Sequence, residues 1–150
     1  MKLGNLQKAT AVPDTLTWYV PNWNSKDTVP SIVIEPATTT NPRYMNARMA
    51  WEKSSEGQKI ARNARNLALS ALVQIREADY GVFAHLVHGW AAIVEDDGKA
   101  VEFPKADDPQ RLAKIEEVLR ALGAYNFDDL RNIVRNPERA PAGVEALAGN

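Results

Sequence analysis

The stretch Tyr80-Gly81-Val82-Phe83-Ala84-His85-Leu86-Val87-His88-Gly89-Trp90-Ala91-Ala92-Ile93-Val94-Glu95-Asp96-Asp97-Gly98-Lys99-Ala100-Val101-Glu102-Phe103 decides how the chain is built. Tyr80, Phe83, Leu86 and Val87 recur at helical spacing, and Gly89 supplies an end for that helix. Beyond it, two short apolar runs, 90–94 and 100–103, flank Glu95-Asp96-Asp97-Gly98-Lys99. Asp-Gly between such runs predicts a small hairpin, because glycine takes the positive φ of a tight turn at no steric cost. The segment reads as helix, tryptophan anchor and hairpin.

Upstream, Ile60, Ala64, Leu67, Ala71, Leu72 and Ile75 continue the helical period, with Lys59, Arg62, Asn63, Arg65 and Asn66 facing outward. This predicts one long central helix, with Gly81 as its internal weak point. Ser54-Ser55-Glu56-Gly57 separates it from a shorter helix that starts at Asn41-Pro42, Asn as N-cap and Pro at N1, and aligns Tyr44, Ala47 and Trp51. Before that, Leu16–Trp23 and Ile32–Ile34 read as a hairpin joined through Asn24-Ser25-Lys26-Asp27, and Pro21 and Pro30 assign both strands to edges. Downstream, Asp108 and Pro109 open a helix that buries Leu112, Ile115, Val118, Leu119 and Leu122 and ends at Gly123. Asn126 with Asp129 opens the last helix, which buries Phe127, Leu130, Ile133 and Val134 and stops at Asn136-Pro137. The fold class is α+β, mainly α: an N-terminal β-hairpin, a long central helix, a small Trp/Asp-Gly hairpin and two C-terminal helices. Residues 1–13 read as a flexible arm, 14–136 as one domain and 137–150 as a mobile tail.

Among 150 residues, 45% hydrophobic and 25% charged is the balance of a globular chain. The net charge of −1 conceals an asymmetry: 41–76 holds seven basic and two acidic residues, and 77–150 eight basic and fourteen acidic. Absence of cysteine excludes a thiol nucleophile and every cysteine-ligated metal site. The first residues lack the apolar core of a signal peptide, and Val82–Val94 is too short to span a bilayer, so the expected location is the cytoplasm.

Chemical readings find little support. His85-x-x-His88 puts two imidazoles one turn apart on a helix, but no acidic residue follows at metal-ligand spacing. Glu95, Asp96 and Asp97 are adjacent rather than alternating, as a calcium loop would require. No serine sits in a nucleophile-elbow setting and no glycine run cradles phosphate. The expectation is a non-enzymatic protein without cofactor or metal. Lys59, Arg62 and Arg65 form a basic helix face able to meet phosphates, but the slightly acidic total puts nucleic acid behind protein partners.

Three segments, Asn41-Pro42-Arg43-Tyr44, His88-Gly89-Trp90 through Val101-Glu102-Phe103, and Leu122-Gly123-Ala124-Tyr125-Asn126-Phe127-Asp128-Asp129-Leu130, resemble the tail assembly chaperones of long-tailed bacteriophages. The resemblance implies a transient factor of virion morphogenesis in the host cytoplasm. Its partner would be the tape measure protein or other phage structural proteins, with self-association as a further mode. It implies no catalytic residue. Tyr44, Trp51, Trp90 and Phe103, with Lys59, Arg62 and Arg65, are the partner-binding candidates. The alternatives are a permanent head or tail adaptor of the virion and, third, a small nucleic-acid-binding protein.

Overall fold

The computed structural model describes residues 14–23, 28–63 and 68–139. Strand β1 (Leu16–Tyr19) pairs antiparallel with β2 (Ser31–Ile34), Leu16 opposite Ile34 and Tyr19 opposite Ser31, as the aromatic and β-branched runs predict. The turn expected at 24–27 lies outside the described residues. A third strand, β3 (Val87–Ala91), pairs antiparallel with the other side of β2, giving the order β1-β2-β3. β2 is therefore central, not an edge. Pro30 is compatible with this because it precedes the strand and contributes only its carbonyl, which accepts from Val20 N at 3.0 Å.

Helix α1 (Pro42–Lys53) starts as expected: Asn41 Oδ1 accepts from Arg43 N at 3.1 Å, and Asn41 Nδ2 donates to the Pro36 carbonyl at 2.8 Å. One residue, Ser54, separates it from α2 (Ser55–Asn63). Gly57 is required at this joint, since a Cβ there would sit 2.2 Å from the Trp51 carbonyl oxygen. The expected central helix is described as α2 and as α3 (Ala68–Ala84), and residues 64–67, including Ala64 and Leu67, lie outside the described residues. α3 also stops five residues before Gly89: Leu86 N donates to Phe83 O in a final tight turn, and Val87 enters β3. The apolar run 86–94 satisfies either period, and the open side of β2 takes it as a strand.

The Asp97-Gly98 turn forms as read, with Gly98 at φ 83°, Glu95 N bonded to Lys99 O at 2.8 Å and Val101 N to Ile93 O at 2.9 Å. Ala92, at φ 59°, turns the chain out of β3 into this hairpin. α4 (Arg111–Ala121) begins later than expected. Asp108 holds the preceding turn, accepting from Gln110 N at 2.8 Å and Lys114 Nζ at 2.6 Å. Leu112, on the free first turn, is 42% exposed rather than buried. Leu122 and Gly123, the latter at φ 84°, form a two-residue joint to α5 (Ala124–Arg135). α5 starts two residues before Asn126, whose amide donates back to Leu122 O, so Asn126 is not the cap. The expected boundary at 136 falls just before a 3-10 turn, Pro137–Arg139, and residues 1–13 and 140–150 lie outside the described residues.

The core collects Trp18, Ile32 and Ile34 from the sheet, Phe83 and Leu86 from the end of α3, Ile115 and Leu119 from α4, and Phe127, Leu130 and Val134 from α5, all fully buried. Each contributes roughly 1.5–3 kcal/mol of transfer free energy. Phe127 stacks on Tyr80 at 4.1 Å and tilts against Phe83 at 5.8 Å, and Tyr44 meets Phe83 edge-on. No helix among the described residues is long and apolar enough to cross a membrane.

Candidate functional site

Three polar or aromatic constellations surround this core. The first fastens α3 to α5. Arg76 donates to both oxygens of Asp128, at 3.0 and 2.8 Å. Arg131 donates Nε to Asp79 at 2.8 Å and Nη1 to Asp128 at 3.0 Å, and Arg135 also donates to Asp79 Oδ2. Asp79 is 7% exposed, so its charge is tolerable only because two guanidinium groups meet it. The hydrogen bond from Arg76, and secondarily that from Arg131, holds the Asp128 carboxyl below the usual carboxylate range. Arg120 lies over the Tyr80 ring at 4.5 Å and bonds Glu77 at 2.6 Å. Burial pushes the Tyr80 phenol upward.

The second surrounds Glu35, just after β2. Its Oε2 meets His88 Nε2 at 2.7 Å and Arg43 Nε at 3.3 Å. An open groove of about 590 Å³ runs beside it, lined by Glu35, Asn41, Arg43, Asn46, Ala47 and His85 among others. His85 keeps an exposed face, but partial burial and the neighbouring Arg43 lower its basicity. The two histidines do not share one helical face: His85 follows α3, while His88 lies in β3. Among the described residues no group of three His, Asp or Glu is arranged to hold a metal ion.

The third is the Trp90–Phe103 pair. The rings meet edge to face at 4.7 Å, Trp90 Nε1 donates to Val101 O at 2.7 Å, and Arg111 covers Phe103 at 4.7 Å. Both rings are half-buried. Val94 is 57% exposed beside the exposed Glu95, Asp96 and Asp97. The hairpin thus sets an apolar surface against an acidic rim.

The sequence-derived candidates separate. Trp90 and Phe103 come together. Tyr44 is 4% exposed and belongs to the core, its hydroxyl accepting from Arg48 at 3.2 Å. Trp51 is half-buried against the same core from α1. Lys59 is exposed on α2, Arg62 lies on α2 with its side chain outside the described part, and Arg65 lies outside the described residues. The Glu35–His88 and Asp79–Arg131 pairs carried no local signal, because their members stand 53 and 52 residues apart along the chain. No known protein family, no curated protein and no solved structure matches this chain.

Proposed function

We propose that this chain is a non-enzymatic protein-binding factor and, within that class, a tail assembly chaperone that holds the tape measure protein during phage tail morphogenesis. The resemblance of the segments 41–44, 88–103 and 122–130 supports the finer reading. The observation that carries the coarser one is the Trp90–Phe103 unit, where half-buried aromatics and the exposed Val94 stand beside Glu95, Asp96 and Asp97. A helical, aggregation-prone client is met by this kind of surface, an apolar strip with a solvating rim. Nucleic acid ranks lower: Arg43, Arg48, Arg76, Arg120, Arg131 and Arg135 are each engaged by carboxylates.

Co-expression with the tape measure protein tests the reading. The wild-type chain is expected to raise its soluble yield and to co-purify with it, and Val94→Asp to weaken both. No gain in soluble client and no co-purification would refute it. Abundance of this chain in purified mature virions would favour a permanent structural role instead.

A further inference from the structure

We infer that the groove between α1 and His85 binds a carboxylate, the monoanionic head of a small organic acid or of a protein side chain, with Arg43 as its main anchor. The groove holds about 590 Å³, within the range of small-molecule sites. Arg43, Asn46, Ala47 and Ala50 line it from one face of α1, since helical residues three and four apart are neighbours. His85, which follows α3, and Glu35, which follows β2, bring polar groups to the same space from elsewhere in the chain.

The donors in this groove are unspent. Arg48, Arg76, Arg111, Arg120, Arg131 and Arg135 each donate side-chain hydrogen bonds within the molecule. Among the arginines whose side chains are described, Arg43 alone donates none: it meets Glu35 as an ion pair at 3.3 Å and keeps its N–H groups open. The side chains of Asn46 and His85 likewise have no hydrogen-bond partner among the described residues. After burial, the Arg43 charge is what lowers the basicity of His85, so the two stand within each other's field. One ligand group can reach both.

The chemistry selects the ligand. A cation finds no free acceptor charge: Glu35, the carboxylate of the lining, has a side chain only 14% exposed, with Oε2 on His88 and Oε1 accepting from Asn41. What stays open is a set of donors around one guanidinium. Free phosphate would bring up to two negative charges against that single cation, with Glu35 beside it. A carboxylate brings one, and its two oxygens match the planar fork of an arginine in parallel hydrogen bonds. The Asn46 amide and the His85 ring can complete its shell, and the methyl groups of Ala47 and Ala50 accommodate a short apolar body. Arg43 is 61% exposed, so the binding is weak, in the millimolar range.

The site uses no residue of the Trp90–Phe103 unit and does not rest on the client reading. Two-dimensional NMR of the full chain, titrated with sodium butyrate against sodium chloride at equal ionic strength, tests it. Saturating shifts are expected at the Arg43 Nε–H, the Asn46 amide and His85. Arg43→Gln should weaken binding about tenfold or more, and Arg43→Lys nearly as much, because an ammonium lacks the fork. Arg48→Gln, outside the groove and serving Glu52, should leave it unchanged. Circular dichroism checks that each variant folds, and Asn46→Ala, at an exposed position, removes a donor with the least disturbance. A helical peptide carrying one glutamate runs beside butyrate: tighter peptide binding assigns the carboxylate to a protein partner, tighter butyrate binding to a small acid, and either supports the site. Shifts no larger than chloride produces overturn the inference. So do shifts that the folded Arg43→Gln variant retains, or tighter binding of inorganic phosphate than of butyrate.

Discussion

Replacing Asp79 by Ala should be the most damaging single change to the α3–α5 contact. Asp79 Oδ2 accepts from Arg131 Nε at 2.8 Å and from Arg135 Nη2, with side-chain exposures of 10% for Asp79, 13% for Arg131 and 35% for Arg135. Charge-assisted hydrogen bonds contribute about 1.5–3 kcal/mol each. The bond to Arg131 counts at that value because neither group can recover water. Arg135 can, so its bond counts at the exposed value of about 0–1 kcal/mol. Arg131 keeps Asp128 at 3.0 Å, which limits the orphaned charge. The expected loss is about 2–4 kcal/mol, near the lower edge of the cost of breaking a buried pair. Equilibrium urea unfolding of Asp79→Ala, Arg131→Ala and the double variant reads both the loss and the coupling. Arg135→Ala should cost far less. A loss below about 1 kcal/mol for Asp79→Ala, or coupling below about 0.5 kcal/mol, would mean that solvent reaches this pair and the burial reasoning is wrong.

Other perturbations address other joints. Gly57→Ala should lower stability by about 1–3 kcal/mol, since the methyl would enter the Trp51 carbonyl and force α1 and α2 apart; an unchanged thermal midpoint would contradict this. Ala92 has φ 59°, where a side chain costs about 1–2 kcal/mol and glycine costs little sterically, so Ala92→Gly should be neutral or slightly stabilising and Ala92→Val clearly destabilising; the reverse order in thermal melts would refute the strain. The Asp128 carboxyl is depressed, so its stabilisation is full above the unfolded value of about 3.9 and is lost as pH falls through the lower native value. Asp128→Asn should flatten the acid limb of the stability curve, modestly because the side chain is 38% exposed; superimposable acid limbs would count against the Arg76 contact.

What the sequence revealed was local. Asn41-Pro42 as a helix start, Asp97-Gly98 as a turn and Gly123 as a helix end depend on one or two backbone angles, and neighbouring residues declare those. What it concealed depends on remote partners. Val87–Ala91 is a strand only because β2, more than fifty residues earlier, has an unpaired side to offer. The same distance hid the His88–Glu35 bond, so the histidine pair read as a helical face when its members lie on different elements. Ile75 shows a third kind of failure. Periodicity assigns it correctly to the stripe of the core residues Ala78, Asp79 and Val82, but periodicity carries no information about where a core ends. Of the candidate site, the Asp97-Gly98 turn that brings Trp90 and Phe103 together was legible, while the burial of Tyr44 required knowing that Phe83 would come to meet it.

The charge asymmetry illustrates the same limit and bears on which surface matters. Seven basic residues in 41–76 suggest a positive face able to attract an acidic partner. In the fold, Arg43 goes to Glu35, Arg48 to Glu52 and Arg76 to Asp128, so three of those charges are met within the molecule. Arg131 and Arg135 of the acidic segment serve the buried Asp79 rather than the exterior. The open surfaces at Val73, Ile75 and Tyr125 and at Val94 are apolar. An association driven by them should persist or strengthen in high salt, because screening removes nothing they depend on. Association abolished by moderate salt would instead return the basic helix face, and Lys59 first, to the centre of the account.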